Sequence, residues 1–387
     1  MKKTILIGMM AFGAFALFAQ KSNVNKAMTY IYMEETLKSA EINAAKELIT
    51  PALEDPTTMN DAKTWYVAGM VANKEYDAEY VKSMRGQTDD NEAKKGRVVM
   101  AAVDYFAKAD ELDSRPDAKG KVKHKYREEI KPYVKNYRNV LINYGIYSYN
   151  KNDMRNAIRA FEKFLEIPAL PMMQGDVSVT QDSTILIIRE YLDDAIILQA
   201  KNNLAEKKDT AAYYKAIKAA FDKNPESKRL INSMLDYYSI MKNDPEKALE
   251  FVDKAIALQP DNVIYYTIKG QLLSRLGRTD DALAVFQKVA ELEPNNTEAY
   301  IGMASIFTAA GDRLGEEANA IKENAAYEAK MAERKAMFTK AIPYLEKVRQ
   351  LDSQDTQNLR ILQQVYYIVE GDSENYQRIS AELKAFQ

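Results

Sequence analysis

VIYYTIKGQLLSRLGRTDDALAVFQKVAELEP, residues 263 to 294, contains no histidine, no cysteine and no glycine-rich phosphate loop, yet its small and large apolar residues recur at regular intervals. Spacing without reactive groups points to packing. Five pairs of like residues share an offset of 34 with the flanking sequence: Ala248 and Ala282, Leu258 and Leu292, Pro260 and Pro294, Tyr266 and Tyr300, Gly277 and Gly311. A repeat of this length marks stacked supersecondary units, because each unit buries its apolar face only against its neighbours.

Each position within the unit has a physical task. Gly270 lets two helices approach closely, since a larger side chain would push their axes apart. Gly277 is a C-cap candidate for the first helix, and Thr279, Asp280 and Asp281 offer capping oxygens and negative charge to the start of the second. Ala282 and Phe286, four residues apart, fill the space between the helices, and Pro294 ends the second helix. The order Tyr266, Gly270, Gly277, Ala282, Phe286, Pro294 resembles the tetratricopeptide repeat, a 34-residue helix-turn-helix unit. The resemblance implies an all-α fold, a right-handed superhelical solenoid of antiparallel helix pairs.

The clearest repeats are 229–262, 263–296 and 297–353, the last with an insertion, followed by C-terminal capping helices over 354–387. Weaker matches upstream carry Trp65 and Gly69, or Tyr144, Gly145, Ala157 and Phe161, and bring the expected total to seven or eight helix pairs over 20–387. Two stretches exceed the repeat. Between Gly311 and Ala341 lie about 25 surplus residues, which predict a second helix that starts early and projects by roughly 38 Å. Within it Ile321, Ala325, Ala329 and Ala332 form a narrow apolar stripe for the same chain or for a homodimer through 316–341. The other surplus, between Tyr76 and Ala102, reads as a loop or a strained helix extension. PALPMMQGDVSVTQDS, residues 168–183, reads as a long connection with a β-leaning VSV.

The 387 residues are 47% hydrophobic and 28% charged with 14 glycines and 11 prolines, a composition of folded, helix-rich chains. A net charge of -2 gives no reason to expect nucleic acid as a partner. The N-terminus MKKTILIGMMAFGAFALFAQ has two lysines, an apolar run and a small residue before polar sequence, which predicts a signal peptide over 1–19 and no stable membrane span after cleavage. Cysteine is absent, which excludes disulfides, thiolate chemistry and a cysteine-linked lipid anchor. The expected location is the periplasm, the outer membrane or the cell exterior.

No phosphate-loop, dinucleotide, nucleophile-elbow or calcium-loop pattern occurs. The single histidine, His124, sits among lysines on an expected solvated helix face, and the acidic pairs Asp89-Asp90, Asp193-Asp194 and Glu316-Glu317 read as helix-start charges. Neither a catalytic residue, a metal site nor a cofactor is expected. In the resembled family, partners lie in the groove lined by the first helix of each pair. Carried onto this chain, that lining is Tyr66, Met70 and Asn73; Asn139, Ile146 and Tyr149; Asn202; Ser233 and Tyr237; Thr267, Gln271 and Ser274; and Ile301 and Ser305. The family's carboxylate clamp of lysines and asparagines is missing from this set. The lining is neutral, amide-rich and aromatic, which suits a protein or peptide partner on a non-catalytic scaffold, with a glycan or small ligand as the alternative.

Overall fold

A computed structural model describes residues 20–32, 39–86 and 91–386; the expected signal peptide lies outside them. The described residues are helices joined by turns, without a strand. They fall into two compact units that divide after Lys207. The first unit holds α1 (residues 20–32), α2 (Ser39–Ala52), α3 (Ala62–Met84), α4 (Asn91–Asp113), α5 (Arg127–Asn150), α6 (Met154–Glu166), α7 (Val177–Thr180) and α8 (Thr184–Lys207). The second holds α9 (Thr210–Lys223), α10 (Lys228–Asp236), α11 (Pro245–Leu258), α12 (Val263–Arg275), α13 (Thr279–Leu292), α14 (Thr297–Asn319), α15 (Asn324–Leu351), α16 (Thr356–Glu370) and α17 (Glu374–Lys384). Within each unit most helices adjacent in the chain pack on one another, and α6 packs directly on α8 past the short α7.

One contact sets the spacing inside a pair. A β-carbon on Gly270 would stand 2.7 Å from Cε1 of Phe286, a buried ring, so the missing side chain of α12 is the seat of the phenylalanine from α13. The same pairing joins Gly69 to Phe106, Gly145 to Phe161 and Gly311 to Phe338. Seven residues after Gly270, Gly277 adopts φ +71° and turns the chain, with Arg278 N donating to Leu273 O at 2.9 Å. Asn152 (φ +59°) and Asn243 (φ +55°) take this left-handed position in their pairs, asparagine being the side chain that best tolerates it.

The aromatic at the head of the repeat has a second task besides packing. Tyr266 Oη donates to the Pro260 carbonyl at 3.0 Å, Tyr300 Oη to that of Pro294 at 3.1 Å, and Trp65 Nε1 to that of Met59 at 2.7 Å. In all three the acceptor lies six residues upstream, in the turn that leads into the helix, so the ring fixes the entry angle of its own helix. Three second helices are capped by an aspartate, at Asp153, Asp209 and Asp244. The expectation of capping oxygens at Thr279 to Asp281 fails: the N-cap of α13 is Arg278, without a side-chain cap bond, and its guanidinium instead pairs with Asp281 at 2.8 Å.

Both surpluses extend two helices instead of one. Gly311 is not a turn; α14 runs through it to Asn319, and α15 begins at Asn324, so the added residues divide between the arms of one long hairpin. Most of the expected stripe does not pack on its own chain, Ile321 alone being half-buried. Ala325, Ala329 and Ala332 are exposed, whereas Phe338 is buried and Met331 and Arg334 are half-buried. In the same way α3 and α4 are each 23 residues long, and Gly96 is held inside α4 because the ring of Tyr144 occupies the space its side chain would need. The stretch after Pro168 is two short 3-10 turns followed by α7, so VSV is helical. His124 stands in the loop before α5 and not on a helix, and Asp193-Asp194 and Glu316-Glu317 lie inside α8 and the last turns of α14, away from any helix start. Asp89-Asp90 lies outside the described residues.

Candidate functional site

In the first unit the expected groove residues are largely core. Tyr66, Met70 and Asn73 on α3 are buried. The ring of Tyr66 stacks on Tyr126 at 4.3 Å, and its hydroxyl donates to Glu129 Oε1 at 2.5 Å. Tyr32 converges on the same carboxylate oxygen at 3.1 Å, with its own oxygen 2.5 Å from that of Tyr66. Burial, then the bond to Glu129, pushes the Tyr66 phenol far above its ordinary range, so it stays protonated and works as a donor. Asn73 Oδ1 accepts from Tyr137 at 2.5 Å. The physical reason is that α5 starts at Arg127, well before Asn139, its first expected groove residue, and its first turns cover the face of α3. Of the remaining positions here, Asn139 and Asn202 are exposed, and Ile146 and Tyr149 are half-buried, Tyr149 against Tyr191 at 5.9 Å.

The second unit separates its candidates more clearly. Ser233 and Thr267 are buried and spend their hydroxyls on the carbonyls of Arg229 (3.0 Å) and Val263 (3.2 Å), four residues back in their own helices. Tyr237 is half-buried, stacked on Tyr214 at 4.7 Å where α10 continues as π-helix over Tyr237–Met241. Gln271 and Ser274 are exposed.

Ile301 and Ser305 come together in a cleft of about 160 Å³ between α14 and α16, with Thr308 on the same face and Gln357 and Ile361 opposite. Ile301 is 40% exposed and Ile361 37%, so apolar surface remains open to solvent on both walls. Asn358 also lines the cleft and is 3% exposed. Its Nδ2 donates to Leu345 O at 3.1 Å, while its Oδ1 has no hydrogen-bond partner among the described residues. A buried acceptor left unpaired carries a desolvation penalty. Asn358 is absent from the expected lining because groove positions are not carried into the terminal helix pair. The signal is there: counting from the threonines that open α14 and α16, Asn358 takes the place of the buried Ala299.

Among the described residues no group of three or more histidine, cysteine, aspartate and glutamate side chains is placed to hold a metal ion. Nor is any described helix long and apolar enough to cross a membrane.

The family model for the tetratricopeptide repeat matches residues 263–296. Photosystem I assembly protein Ycf3 of Rippkaea orientalis is 32% identical over 120 residues, 27% of this chain and 67% of that protein. The chain belongs to the tetratricopeptide-repeat family. A TPR repeat-containing protein of Methanocaldococcus jannaschii is 23% identical over 209 residues, 49% of this chain, which thereby spans 33% of that longer relative. Two solved TPR-type structures are similar at 16% identity. The crystal structure of YrrB, described as a TPR protein with an unusual peptide-binding site, aligns with a TM-score of 0.36 over 60% of this chain and 96% of its own. That of PilW, described as a type IV pilus biogenesis factor, aligns with a TM-score of 0.38 over 64% and 92%. In this tetratricopeptide-repeat chain the repeat residues form the helix-pair cores of each unit, and the α14–α16 cleft is where expected groove residues remain open together.

Proposed function

We propose that the protein is a non-catalytic interaction scaffold of the cell envelope. It binds an extended peptide or partner loop along the first-helix face of its second unit, with the α14–α16 cleft as the seat of one anchoring side chain. The observation that carries this reading is the cleft itself. Open apolar walls at Ile301 and Ile361 flank hydroxyls at Ser305 and Thr308 and the unpaired oxygen of Asn358. Its volume of about 160 Å³ is below the roughly 300 to 1,000 Å³ of sites that engulf free small molecules, which favours a side chain delivered by a longer ligand. An aliphatic body with an N–H or O–H donor at its tip matches the lining. Membership of a repeat family whose helix pairs form extended binding surfaces supports the scaffold role. The leader-like residues 1–19 support export.

A glycan ligand has less support, because the lone tryptophan, Trp65, is half-buried and its N–H is committed to Met59 O. Selection of peptides from a random display library against the full chain tests the proposal. Peptides sharing one anchor residue are expected, and they should lose binding to Ile301→Glu and Ile361→Glu. Peptides indifferent to both substitutions would place the ligand elsewhere.

A further inference from the structure

A second surface lies in the first unit, on the opposite class of helices. Between α2 and α4, over the flank of α3, runs a cleft of about 570 Å³. Its apolar lining includes Leu53, just after α2, and Val98, Ala101 and Tyr105 from α4, all half-buried. On α4 these positions, three, four and seven apart, form one stripe, the pattern a helix presents to another helix. From Lys94 to Tyr105 the cleft follows α4 for roughly 17 Å, about three helical turns.

The charges on its walls are unevenly compensated. Glu75 is bridged by Lys46 at 2.7 Å, and Glu79 by Lys82 at 2.6 Å. Lys94 and Arg97, both exposed on α4, have no carboxylate partner among the described residues. Two exposed cations on this wall fit an acidic partner, and Glu75 and Glu79 on the opposite wall are already paired.

We infer that the α2–α4 cleft is a docking site for an amphipathic helix of another protein, about three turns long, seated with its apolar face on Val98, Ala101 and Tyr105 and its acidic edge against Lys94 and Arg97. This site lies in the first unit, between two second helices and over α3, and shares no residue with the α14–α16 cleft of the second unit.

The test uses the full chain and two fluorescein-labelled, hydrocarbon-stapled helices with the same leucine and alanine face, one with glutamates along one edge and one with lysines in their place. In fluorescence anisotropy the acidic helix is expected to bind more tightly than the basic one. Lys94→Glu combined with Arg97→Glu is expected to weaken the acidic helix about tenfold and to favour the basic one, since each lost pair is replaced by a repulsion. Ala101→Arg, which fills the floor, is expected to block both, while Ile301→Glu changes neither. Equal binding of the two helices by the unmodified chain, binding of neither, or indifference to the charge reversal overturns the inference. So does binding to phosphatidylglycerol vesicles that the charge reversal abolishes while helix binding is absent, since the basic wall would then serve a membrane surface.

Discussion

Phe286 lies against two glycines at once: a β-carbon on Gly270 of α12 would stand 2.7 Å from Cε1 of its ring, and one on Gly302 of α14 would stand 2.6 Å from its Cζ. One ring thus gauges both the spacing within its own pair and the spacing to the next pair. Gly270→Ala should cost about 1–2 kcal/mol, since overpacking outweighs the gain in helix propensity. Phe286→Leu, destabilising alone, should make Gly270→Ala nearly neutral. A double-mutant cycle by urea denaturation measures the coupling, and additive effects would mean that the ring does not sense Gly270.

The turn residue acts through backbone strain alone, because nothing lies within 4 Å of the side chain that Gly277 lacks. Gly277→Ala should destabilise by about 1 kcal/mol from its φ of +71°, while Asn243→Gly, at φ +55°, should be neutral or slightly stabilising. Equal losses in both variants, read as midpoint shifts in urea, would show that Asn243 is held by its hydrogen bond to Arg275 and not by conformation.

Burial alone would push the Glu346 carboxyl up, but hydrogen bonds from Arg378 (2.6 Å), Arg349 (2.7 Å) and Tyr366 (2.7 Å) outweigh it and hold the group below its ordinary value of 4.5. A folded pKa below the unfolded one gives stability that is full above about 4.5 and is lost as pH falls through the folded value. Glu346→Gln should therefore lower stability at neutral pH by about 1–2 kcal/mol and reduce the further loss on going below pH 4.5. Thermal unfolding of both proteins across the acid range checks this, and parallel pH curves would contradict it.

The expected groove residues should divide by role. Tyr66→Phe leaves Glu129 without its closest donor, and Asn73→Ala removes the acceptor of Tyr137, so each should cost about 1–2 kcal/mol of stability. Gln271→Ala and Ser274→Ala, at exposed positions of α12, should leave the unfolding midpoint within about 0.5 kcal/mol of the parent. Loss of stability at Gln271 comparable to that at Tyr66 would contradict the assignment of the two faces.

The unit at 263–296 is legible from sequence because glycine, alanine, phenylalanine and proline each stand for one steric requirement. Its helices fall where Gly277 and Pro294 place them. The long hairpins are less legible. Gly96 and Gly311 look like punctuation in one dimension, but Tyr144 and Phe338 fill the space beside them, and packing of those rings repays the weak helix propensity of glycine. The groove positions fail on α3 for a related reason. Whether Tyr66 faces a ligand or a neighbour depends on how far α5 extends, and that length is set by Tyr126, Glu129 and Ile130, upstream of the repeat pattern. Asn358 is legible only once the groove positions are carried into α16, whose N-cap is Asp355.

The central claim is that a peptide or partner loop occupies the α14–α16 cleft. Hydrogen exchange of the full chain, with and without a saturating library-selected peptide, tests it most directly. Added protection is expected in the segments that contain Ile301 to Thr308 and Gln357 to Ile361, and none over α3. Protection confined to α3, α5 or the hairpin arms around Ala329, with the cleft unchanged, would contradict it.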